Sequence, residues 1–63
     1  MTTQEIIKVK EVLDTEYARL QNKITECREN GTDDTRYNTA QGALINIYNN
    51  LEDALGINFF DFD

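Results

Sequence analysis

Residues 27–37, Cys27-Arg28-Glu29-Asn30-Gly31-Thr32-Asp33-Asp34-Thr35-Arg36-Tyr37, decide the fold of this 63-residue chain. An Asn-Gly pair can make the two-residue turn of a β-hairpin, which requires flanking strands with a period of two. The flanks here repeat with a period near 3.5 instead. Asn30-Gly31 therefore reads as a helix ending, with Gly31 free to take the left-handed conformation that closes the last turn. Thr32-Asp33-Asp34-Thr35 follows with several N-cap candidates and two acids suited to a helix N-terminus. The stretch predicts a helix, a turn over 31–34 and a second helix.

Upstream, Thr2-Thr3-Gln4-Glu5 has the spacing of a capping box, with Thr2 as N-cap and Glu5 reaching back. Ile6, Leu13, Leu20 and Cys27 then recur every seven residues, Tyr17 and Ile24 fill the second seam position, and Lys10 interrupts it. A helix over about 3–30 follows, roughly 42 Å long at 1.5 Å per residue. Downstream, Tyr37, Ala40, Leu44, Ile47, Leu51 and Ala54 form a second seam that ends at Gly56. It predicts a helix over about 35–55, roughly 31 Å long. Two amphipathic helices joined by so short a turn fold back on each other. The expected class is all-α: one domain over 1–63, an antiparallel, coiled-coil-like two-helix hairpin that assembles into a dimeric helical bundle.

The first helix overshoots the second by roughly 10 Å, leaving Ile6, Ile7 and Val9 without a partner at its N-terminal end. Residues 57–63 begin at that same end and hold all three phenylalanines, Phe59, Phe60 and Phe62. Folded back, they cover the overshoot and bring Asp61 and Asp63 near Lys8 and Lys10. Held outward, they form a short acidic-aromatic docking peptide or an arm exchanged within an oligomer.

Composition narrows the chemistry. There is no His, Ser, Pro or Trp and a single Cys, so Ser/His or Cys/His nucleophile pairs cannot be assembled within the chain. A disulfide scaffold and a Cys/His zinc site fail on the same inventory. No enzyme activity and no cofactor are expected. Twelve acids against six bases give a net charge of −6, which disfavours binding to a phosphate backbone. The charge is uneven: residues 1–30 carry six acids and five bases, net −1, while 31–63 carry six acids and Arg36 alone, net −5.

The pairs Glu11/Asp14 and Glu26/Glu29 lie off the seams among lysines and arginines and read as solvated faces, not metal ligands. Cys27 reads as a small core residue. Asn30-Gly31-Thr32 matches a glycosylation acceptor, but no signal peptide precedes it and no run is apolar enough to span a bilayer. A cytoplasmic protein is expected. Its Asn-rich, acidic composition is similar to that of small proteins of low-GC bacteria and their phages.

What remains is surface. Ile7, Val12, Ile45 and Tyr48 fall outside the seams, and Gly42 sits mid-helix at a cost of about 1 kcal/mol relative to Ala. That cost suggests close approach of another backbone. Gly42, Ile45 and Asn49, with Tyr48, Ile7 and Val12, therefore form the candidate contact face, and Phe59, Phe60 and Phe62 the candidate tail contact. Burial on folding contributes on the order of 90 kcal/mol, and ordering the chain costs about the same. A self-associated module, a dimer in the first instance, is expected to dock on a protein partner as a regulator or inhibitor. The alternatives are a subunit or adaptor of a larger helical assembly, or an acidic mimic of nucleic acid. The mimic requires acids spaced along a face, whereas these cluster at the ends of the second helix.

Overall fold

The structure is a computed structural model and describes residues 1–62. Two helices, α1 (Thr3–Asn30) and α2 (Thr35–Leu55), run antiparallel, and a 3-10 turn (Phe59–Phe62) follows. Among the described residues there is no strand, and no helix is long and apolar enough to cross a membrane. The molecule measures 43 × 17 × 13 Å, so α1 sets its long axis.

Both helices end where local chemistry ends them. The Thr2 side chain accepts from the Glu5 amide at 3.2 Å, and Glu5 Oε1 accepts from the Thr2 amide at 3.1 Å, completing the capping box. Gly31, at φ +69°, takes the left-handed conformation, and the next amide, Thr32, donates to the Cys27 carbonyl at 2.8 Å. Gly56, at φ +65°, repeats this geometry, with the Ile57 amide on the Glu52 carbonyl at 3.0 Å. At the turn, Asp33 Oδ1 accepts from both the amide (3.0 Å) and the hydroxyl (2.6 Å) of Thr35. Asp34 is the N-cap residue of α2, but its carboxylate accepts from Arg28 at 3.2 Å instead of capping the helix.

The capping contacts are titratable. The Glu5 carboxyl is held below its ordinary range, first by the backbone hydrogen bond from Thr2 and then by the Thr2 side chain. Hydrogen bonds from Thr35 depress Asp33 in the same way, side chain first and backbone second. A depressed carboxyl contributes stability above its unfolded pKa and loses it as pH falls through the folded value. Glu5→Ala should therefore melt below the parent at neutral pH, with the gap closing as pH falls below the ordinary carboxylate range. Thermal melts followed by circular dichroism at both extremes check this; a gap of constant size would remove Glu5 from the cap.

The intrachain core is small. Ile6, Leu20, Ile24 and Phe59 are its buried members. The α1 seam is as expected, with Leu13 and Cys27 half-buried, except that Tyr17 opens onto solvent. The α2 seam is rotated. Ala40, Ile47 and Ala54 are exposed, while Gln41 and Tyr48 face inward beside Tyr37, Leu44 and Leu51. Tyr37, Leu44 and Leu51 belong to both settings and the alternate members move by one residue, so the inward stripe turns by about 50°. The tail supplies the reason: Phe59 is fully buried, and its ring lies 4.7 Å from that of Tyr48, tilted by 54°. Burying this aromatic pair outweighs burying Ile47 between the helices.

The 3-10 turn packs on α1. Glu52, half-buried near the end of α2, anchors it by accepting from the Phe59 amide at 2.8 Å. The Asn58 side chain caps the turn through the Phe60 amide at 3.0 Å. The expected approach of Asp63 to Lys8 or Lys10 lies outside the described residues.

Candidate functional site

Rotating α2 inward at Tyr48 moves Ile45 to the edge of the helix pair, beside Tyr17 of α1. Between them lies an apolar hollow of about 260 Å³, lined by Leu13, Asp14, Tyr17, Leu44, Ile45, Tyr48 and Phe60. Leu13, Leu44 and Tyr48 form its half-buried floor. The rim is open: Tyr17 is 42% exposed, Ile45 44% and Phe60 72%. Asp14 contributes the hollow's only carboxylate, and Lys10 Nζ neutralises it at 2.7 Å. Nearer the turn, the helices are joined across this side by a hydrogen bond from Gln41 Nε2 to Gln21 Oε1 at 3.1 Å.

The sequence-derived face is thus only partly assembled here. Ile45 and Tyr48 line the hollow, but Tyr48 belongs to the floor and stacks on Phe59 instead of standing free. Ile7 is half-buried. Val12 is exposed but lines a second, shallower hollow with Lys8, Val9 and Leu13. Gly42 and Asn49 are exposed and line neither hollow. Nor does Gly42 admit a close neighbour within the chain: a Cβ placed there meets nothing within 4 Å. Gly42→Ala should therefore stabilise the helix, by about 1 kcal/mol in urea denaturation. A loss of stability would mean that another backbone does approach this position.

The three tail phenylalanines separate. Phe59 is fully buried and is not available to a partner, Phe62 is half-buried, and Phe60 stands on the rim. Sequence reasoning missed Leu13, Asp14, Tyr17 and Leu44 as lining. The available signal was the alternative inward row of α2, Gln41 and Tyr48, once Tyr48 is paired with the tail.

No group of three or more acids or thiols converges on a metal-sized site among the described residues. The carboxylate pairs read from the sequence have basic neighbours, with Asp14 on Lys10 at 2.7 Å and Glu26 on Lys23 at 3.5 Å. Glu16, bonded by Arg19, is also held below the ordinary carboxylate range by that guanidinium. These are helix pairs at i,i+3 and i,i+4 with at least one partner open to solvent, a setting that adds little stability. Cys27 is a half-buried free thiol. The apolar hollow, formed by helix side chains and the tail turn, is therefore the candidate site. Compared with known proteins, the chain matches no protein-family model, no curated protein and no solved structure.

Proposed function

We propose that this chain is a small acidic protein-binding module, a regulator or inhibitor that acts by docking its helical face on another polypeptide. The observation that carries this reading is the hollow itself: six of its seven lining residues are apolar or aromatic, and its one carboxylate is already paired. A protein side chain entering it loses water without stranding a charge. Three rim residues, Tyr17, Ile45 and Phe60, add apolar surface around the opening, and aromatic residues are enriched at the centres of protein interfaces. The net charge of −6 orients the approach of partners and does not need to be buried.

Photo-crosslinking in cells tests the reading. A photoreactive side chain in place of Ile45 should yield a discrete crosslinked polypeptide, and the same group in place of the exposed Thr25 on α1 should not. Identical patterns from the two positions would refute a specific docking face.

A further inference from the structure

We infer that the hairpin turn carries a self-modification site: Asn30 deamidates there, with the Gly31 backbone nitrogen as nucleophile and water as the only co-reactant. The Gly31 nitrogen gives up its proton and bonds to Asn30 Cγ. The Cγ–Nδ2 bond breaks, and the amide group leaves as ammonia, taking up that proton. A succinimide ring then stands in the main chain, and water opens it at either carbonyl. Opening at Cγ gives an aspartate. Opening at the main-chain carbonyl gives an isoaspartate, whose main chain runs through Cβ and Cγ. No oxidant or reductant takes part.

The first observation is access. Asn30 and Gly31 are both exposed, and a Cβ built on Gly31 meets nothing within 4 Å. The Asn30 carboxamide makes no hydrogen bond among the described residues, so it is free to turn onto its own backbone. The second is the missing side chain at Gly31, which leaves the nucleophilic nitrogen unshielded. Every other asparagine precedes a residue with a side chain: Lys23, Thr39, Ile47, Asn50, Leu51 or Phe59. Asn58, the one asparagine outside the helices, also has its side-chain oxygen engaged by the Phe60 amide at 3.0 Å.

Ring closure requires Asn30 to leave its helical ψ, so the last turn of α1 must fray first. The third observation is that little opposes this. The Gly31 amide is shared between the Arg28 carbonyl, at 3.4 Å, and the Cys27 carbonyl. The Cys27 oxygen also takes the Thr32 amide at 2.8 Å and the Thr32 hydroxyl at 3.3 Å. Its two lone pairs do not serve three donors fully, and Thr32 holds the closer place. Helix ends in this setting open at small free energy.

Either product sets a new carboxylate at the C-terminal end of α1, where the helix dipole disfavours it. The isoaspartate also lengthens the main chain by a methylene and draws the Thr32 amide off the Cys27 carbonyl. The reaction thus loosens the turn in proportion to the age of the chain.

The full chain is incubated in mildly alkaline buffer, folded or in urea, and mapped by trypsin and mass spectrometry against an unincubated sample. Cleavage after Arg28 and Arg36 releases residues 29–36, in which Asn30 is the only carboxamide. That peptide should gain the mass of NH replaced by O, ahead of every other asparagine-containing peptide. The folded rate should lie within about 30-fold of the rate in urea, the mark of local fraying. Amide exchange at Gly31 should outrun that at Ile24. Asn30→Gln should abolish the mass gain.

A folded rate slower by more than about 30-fold overturns the inference, because the turn would then open only with the whole chain. Equal exchange at Gly31 and Ile24, earlier conversion of another asparagine, or a mass gain surviving Asn30→Gln overturns it as well.

Discussion

Phe59→Ala should cost about 3–5 kcal/mol, the range for truncating a fully buried aromatic side chain. A domain of this length has a total stability of about 3–9 kcal/mol, so this one substitution should unfold much of the population at room temperature. Two losses combine at the site. The Phe59 ring leaves a cavity against α1, and Tyr48 loses the stacked partner that holds it inward at 4.7 Å. With Tyr48 released, nothing favours the observed rotation of α2, and the inward row is free to revert toward Ile47. Urea denaturation gives the free energy, and hydrogen exchange at the Phe59 amide, bonded to Glu52 at 2.8 Å, reports the turn directly. Phe60→Ala is the control, because removing an exposed ring should change monomer stability by less than about 0.5 kcal/mol. If the two substitutions cost the same, the tail is not seated as described.

The second large effect lies at the opposite half of the hairpin and tests the rotation of α2 by comparison. Ile24 is buried between the helices near the turn. Ile24→Ala should cost about 2–5 kcal/mol. Ile47 holds the equivalent position in the seam expected from the sequence, yet it is 50% exposed. Ile47→Ala should therefore cost under about 1 kcal/mol, the loss of a partly buried side chain. Measured on the same denaturation axis, the ratio of the two effects reports the rotational setting of α2. Comparable costs would return Ile47 to the core and displace Tyr48 from it.

These contrasts show what was legible in the sequence. The bounds of both helices were, because the determinants are local. Thr2 and Glu5 close the first turn of α1, and Gly31 and Gly56 occupy the only positive-φ positions among the described residues. Antiparallel pairing followed from the short turn. The rotational setting of α2 was not legible, because the helix carries two competing rows that can face α1. Ala40 and Ile47 lie on one, Gln41 and Tyr48 on the other, and within α2 the polarity of Gln41 favours the first. The choice is made by Phe59, eleven residues beyond Tyr48. A seam read from α2 alone therefore selects the row with no polar member.

The candidate site inherits the same ambiguity. Ile45 was recognised because it is off-seam in either setting. Tyr17 was assigned to the core because its heptad position is correct, but with the α2 stripe turned it stays 42% exposed on the rim of the hollow. Gly42 was read as a close-approach position from its helix-interior cost alone, and the open space around it leaves that cost unexplained within one chain.

The seating of Phe59 also sets a timetable. Chains are made from the N-terminus at about 5–20 residues per second, and Phe59 is added 53 residues after Ile6. For roughly 3–10 s, by that rate, each new chain presents Ile6 and its end of α1 without cover. Tyr48, added eleven residues before its ring partner, waits under about 3 s. During that interval the nascent hairpin exposes more apolar surface than it ever does once complete.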